Sequence, residues 1–165
     1  AKQMGPKKDL IGMWREATLK HGLRFGVTTH VARAYSWMNV ANQADKKGPL
    51  AGVSYDGDNP EYDDFYFKKH DDLSSAGPEN PPQEWKDVWV KRMKDLIDNY
   101  HPDHFYFDGA IPFRGDYGKA GMDVIAHLYN HSMEVNGGKQ EAVMCTKPRP
   151  FTGYYVPDLT TLANR

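Results

Sequence analysis

The stretch Phe105-Tyr106-Phe107-Asp108-Gly109 decides how this chain is read. Its aromatics make a short strand that buries rings in a core, and the carboxylate that closes it is held rigidly at the rim of a sheet. In (β/α)8 barrels that rim, at the C-terminal ends of the strands, carries the chemistry. Asp-Gly is also a common turn pair, so the plain alternative is that Asp108 only opens a turn.

Upstream of this strand, Trp85, Trp89, Met93, Leu96 and Tyr100 recur at helical spacing. The helix they predict is entered through Asn80-Pro81-Pro82 and closed before Pro102. Downstream, Val124, Ile125, Leu128, Tyr129 and Met133 predict a second helix that ends at Gly137-Gly138 and leads into a strand over 142–146. Near the start, Leu10, Ile11, Trp14 and Ala17 predict an amphipathic helix that begins at Asp9 and stops at His21-Gly22, before a strand over 23–29. Helices alternating with short apolar strands imply α/β class and a parallel sheet, either doubly wound or a (β/α)8 barrel. The glycines after the strands lack the spacing that wraps a pyrophosphate, which favours the barrel. A complete barrel takes about 250 residues, so about three αβ units in 165 residues read as a central part of one, with strands missing on both sides.

Composition narrows the ligand. A net charge of −1 and a pI near 6.7 argue against nucleic acid or an anionic lipid surface and favour a neutral ligand. No apolar run approaches the roughly 20 residues that span a bilayer, so no membrane insertion is expected. Cys145 is the single cysteine, which excludes an internal disulfide, and no Cys or His pair has zinc-ligand spacing. No signal peptide is visible.

The connection from about residue 30 to 80 shows little helical periodicity, and a parallel α/β fold puts it on the C-terminal face, above the mouth. It mixes Tyr35, Trp37, Tyr55, Tyr62, Phe65, Tyr66 and Phe67 with Asp56, Asp58, Asp63 and Asp64. Aromatic faces beside carboxylates suit a polyhydroxylated ligand, whose ring stacks while its hydroxyls hydrogen-bond. The alternative is that these aromatics are the loop's own small core. Asp56-Gly57-Asp58-Asn59 hints at calcium but lacks the Glu that closes an EF-hand loop, so no metal is expected.

Leu23-Arg24-Phe25-Gly26-Val27, ending in His30 and followed by Tyr35-Ser36-Trp37, together with Tyr100-His101-Pro102-Asp103 before Phe105 to Gly109, resembles the α-L-fucosidases of glycoside hydrolase family 29. The likeness runs from about Gly5 to Asp158 in order and spacing. It implies that residues 1–165 are part of a catalytic (β/α)8 barrel domain that hydrolyses terminal α-L-fucosyl linkages with retention, without a cofactor. In that family the aspartate closing this strand is the nucleophile, which maps onto Asp108. The aromatic position two residues earlier lines the fucose pocket and maps onto Tyr106, while His30 and Trp37 match sugar-binding positions after the preceding strand. Lys147, closing the next strand, sits where many members have a basic residue. The implied partner is a fucosylated oligosaccharide or polysaccharide, and the implied localisation is secreted or periplasmic, as for many bacterial members.

The chain departs from the family pattern at three places. The family's paired histidines would lie before residue 1. Thr29-His30 stands where many members have Tyr-Ser, and Ser36-Trp37 where they have Glu-Trp. The general acid/base comes from a later, variable loop; Glu141 lies at the entry of a strand, Glu134 late in a helix, and Asp116 and Asp158 match no motif, so it is expected beyond Arg165. Retaining hydrolysis needs its two carboxyl groups about 5 to 5.5 Å apart, with Asp108 ionised despite burial, for which His30 or Lys147 would serve. An α-galactosidase-like barrel enzyme and a non-catalytic carbohydrate-binding remnant are the other readings.

Overall fold

Asp9 starts the first helix: its Oδ1 accepts from the Gly12 N–H at 3.0 Å and caps α1 (Leu10–Lys20). The computed structural model describes residues 5–41, 48–53, 56–72 and 77–147. In chain order α1 is followed by β1 (Gly26–Thr29), α2 (Ala34–Ala41), α3 (Asp63–Tyr66), α4 (Gln83–Tyr100), β2 (His104–Phe107), α5 (Lys119–Val135) and β3 (Val143–Thr146). The three strands are parallel and lie in the order β1-β2-β3, with Thr29, Phe107 and Thr146 in one row of the ladder.

Two differences from the sequence reading have physical causes. β1 starts at Gly26 rather than residue 23 because Asp103 competes for the backbone there. The Asp103 carboxylate takes the Phe25 N–H at 3.0 Å, and the Leu23 N–H turns back to the Thr18 carbonyl of α1 at 3.2 Å, so these donors are not given to the ladder. The long connection, expected to lack helical periodicity, contains α2 and α3. The buried side of α2 carries Tyr35 beside polar Ser36 and Asn39. Asn39 donates to the carbonyls of His70 and Asp72 and accepts from the His70 N–H, so this face is filled by hydrogen bonds rather than by an apolar stripe.

The long helices follow their patterns. Trp85, Trp89, Met93 and Ile97 form a fully buried i, i+4 stripe on α4, and Val124, Ile125 and Leu128 do the same on α5. Both stripes pack with Phe105 and Phe107 of β2 in one cluster. Each such side chain contributes about 1.5–3 kcal/mol by leaving water. α4 ends where His101 takes a left-handed conformation at φ 44°, directly before Pro102.

Strand alternation decides what points the other way. Gly26 and Thr28 of β1 and Val143 and Cys145 of β3 are exposed, and His104 and Tyr106 of β2 are half-buried with their rings stacked at 6.2 Å. Among the described residues the helices therefore cover one face of the sheet. No helix among the described residues is long and apolar enough to cross a membrane.

Candidate active site

One residue past the Thr29–Phe107–Thr146 row, the three strands present His30, Asp108 and Lys147 side by side. Two further backbone bonds hold this extra row: the Asp108 N–H donates to the Thr29 carbonyl at 3.2 Å, and the Lys147 N–H to the Gly109 carbonyl at 2.8 Å. Each group of the row thus follows the last residue of its own strand. His30 Nε2 lies 2.7 Å from Asp108 Oδ2, and Lys147 Nζ lies 2.5 Å from Oδ1. Lys147 approaches as an ion pair rather than along an aligned hydrogen-bond direction, and it covers Oδ1, which has no solvent exposure.

The Lys147 ammonium holds the Asp108 carboxyl below the usual carboxylate range. Partial burial opposes this, and the charges of His30, Lys147 and Arg33 reinforce it. Reciprocally, contact with Asp108 raises the pKa of Lys147. Gly109 follows at φ +153°, a conformation that side-chain-bearing residues rarely adopt, and its carbonyl receives the Lys147 N–H. The result is a fixed, ionised carboxylate, 22 % exposed, at the C-terminal rim of the sheet.

Trp37, on α2, is 43 % exposed and tilts over His30, with ring centroids 5.9 Å apart. Tyr106 lies two residues before Asp108 on the face of the sheet away from α4 and α5, between Thr28 and Cys145 in register. All five residues singled out from the sequence are thus described; His30, Asp108 and Lys147 form one charged row, and Trp37 packs against His30. Sequence reasoning missed Arg33. Its guanidinium stands 5.2 Å from the centre of the Trp37 ring and its Nη2 3.5 Å from where a Cβ on Gly109 would lie.

The other carboxylates considered from the sequence have structural partners. Asp116 pairs with the buried Lys86 at 2.9 Å and accepts from the Lys119 N–H at 3.0 Å. Glu141 pairs with Arg24 at 2.8 Å at the entry end of β3, and Glu134 is exposed on α5. Of the loop aromatics, Tyr35 and Phe67 belong to the core with Trp85, whereas Tyr62 and Phe65 are exposed. Tyr55 and Asp158 lie outside the described residues. Among the described residues no cluster of His, Cys, Asp and Glu has the arrangement to hold a metal ion.

Such a site can deliver a negative charge to an electron-poor carbon or stabilise a cation forming above it. Comparison with curated proteins gives no match. The family model described as Alpha-L-fucosidase matches residues 1–158, and the chain belongs to the α-L-fucosidase family.

Proposed function

We propose that the full-length protein is a retaining α-L-fucosidase in which Asp108 is the nucleophile. Family membership implies a glycoside hydrolase acting on a glycan. The observation that carries the finer reading is the row His30–Asp108–Lys147, which keeps a carboxylate charged at the strand ends. Asp108 attacks the anomeric carbon as the glycosidic C–O bond breaks, and a carboxylic acid outside the described residues protonates the leaving oxygen. Water, deprotonated by that second group, then releases fucose from the glycosyl ester. Oδ1 is covered by Lys147, so Oδ2, on the His30 side, is the attacking oxygen. His30, Trp37 and Tyr106 bind the sugar, with Trp37 offering an apolar face to its ring.

A (β/α)8 barrel is the architecture proposed around this sheet. Strand order runs in one direction without reversal and the helices lie on one face, as right-handed crossovers in a singly wound sheet require. A doubly wound sheet reverses direction and covers both faces.

The test is Asp108→Gly in the full-length protein, assayed with 4-nitrophenyl α-L-fucoside. Turnover is expected to fall by about 10^3-fold or more and to recover with azide as an external nucleophile. Undiminished turnover would remove Asp108 from the mechanism, and hydrolysis of a galactoside in place of the fucoside would favour an α-galactosidase-like enzyme.

A further inference from the structure

We propose that Arg33 and the recess beside Asp108 form an anion-binding subsite, so that the preferred substrates are fucosides carrying a sulfate ester or a carboxylate next to the scissile bond. This rests on the fucosidase reading above and narrows its substrate class.

Charge pairing at the mouth leaves one cation over. Asp108 faces both Lys147 and His30. Glu79, the other carboxylate lining the recess, is 72 % exposed and held by Arg114 at 2.6 Å. Arg33 lines the same recess, yet among the described residues its guanidinium has no carboxylate within ion-pair distance and no hydrogen-bond acceptor. Its guanidinium stands against Trp37, 5.2 Å from the centre of the ring. A guanidinium is the fork that binds an oxyanion bidentately.

Trp89 lines the wall and is fully buried, and among the described residues its indole N–H has no partner. Buried indole N–H groups ordinarily find one. The recess has an accessible volume of about 80 Å3, room for a handful of waters or one compact oxyanion in their place. A guanidinium without a carboxylate partner among the described residues selects an anion over a neutral hydroxyl.

The experiment compares 4-nitrophenyl α-L-fucoside with its sulfate monoesters, and phenyl with 4-carboxyphenyl α-L-fucoside, on the full-length wild type and on Arg33→Gln and Arg33→Lys. In the wild type kcat/KM is expected to be about ten-fold higher for a charged substrate than for its neutral parent, chiefly through KM. Arg33→Gln is expected to remove that ratio and Arg33→Lys to retain part of it. Preference confined to the sulfate esters assigns the group to the sugar, and preference confined to the carboxylate assigns it to the aglycone. Equal rates for charged and neutral substrates in the wild type would overturn the inference, as would equal losses on both in Arg33→Gln, which would mean that Arg33 acts only through Asp108. Absence of turnover on every fucoside would instead overturn the fucosidase reading. Calorimetric binding of the same compounds then still tests the subsite, and Arg33-independent binding would overturn it.

Discussion

Lys147 Nζ sits 2.5 Å from Asp108 Oδ1, and the two residues occupy the same position relative to their strands, one step past Thr146 and Phe107. The carboxylate is therefore kept charged by a neighbour that the sheet itself aligns. Removing the ammonium in Lys147→Met raises the pKa of Asp108, because the contact with Lys147 is the largest influence lowering it. The acid limb of the kcat/KM profile is expected to move to higher pH, while Lys147→Arg keeps it near its original position. An unmoved acid limb in Lys147→Met would show that Lys147 does not govern the charge of Asp108.

Gly109 at φ +153° carries the chain out of β2 immediately after the carboxylate. A Cβ there would meet Arg33 Nη2 at 3.5 Å, an ordinary contact, so the penalty of Gly109→Ala is backbone strain rather than collision. Urea unfolding of the full-length protein is expected to show a loss of about 1–3 kcal/mol. Activity is expected to fall further than stability explains, because relaxing the strain reorients Asp108.

Lys86 is 7 % exposed, joins α4 to the loop after β2 through Asp116 at 2.9 Å, and donates to Asn80 Oδ1 in the segment before α4 at 2.9 Å. Lys86→Met preserves the volume and strips Asp116 of its counter-charge. A stability loss of about 2–4 kcal/mol is expected in denaturant titration, below the limit for a fully buried pair because Asp116 keeps some water. Lys86→Met combined with Asp116→Asn is expected to recover part of that loss.

At the opposite end of the sheet, His101 Nδ1 lies 2.6 Å from His131 Nε2. Burial lowers the pKa of His101 first, His131 and Arg15 add to it, and Asp98 opposes them. With the folded pKa depressed, the unfolded chain takes up the proton first. Stability is present above the ordinary histidine value of about 6.5 and is lost as pH falls through it towards the folded pKa. Thermal melts are expected to show a falling midpoint below that pH, and His101→Gln is expected to flatten the trend; an unchanged slope would place its origin elsewhere.

What the sequence disclosed followed physical lines. α4 and α5 are long, their buried residues are apolar at i, i+4, and their ends are marked by Pro102 and by Gly137-Gly138, so pattern and outcome agree. α2 stayed hidden because Ser36 and Asn39 occupy its inner side, where burial is supported by hydrogen bonds. The grouping of His30, Asp108 and Lys147 was accessible by counting, since each is the first residue after an apolar strand in a parallel sheet. Arg33 was not, because it sits in a single 3-10 turn between β1 and α2, and a turn of that length has no periodicity to read. Asp103 gave no warning either: its side chain takes the backbone N–H of residue 25, an exchange that hydropathy cannot register.

His30, Asp108 and Lys147 each come from a different strand, so their chemistry depends on ladder alignment as much as on residue identity. Sliding the third strand by a single position would set Thr146 or Pro148 beside the acid and turn the lysine to the opposite side of the sheet. The protein would keep every atom of its apparatus and lose its charge balance, which makes strand slippage, and not only point substitution, a route to an inert enzyme.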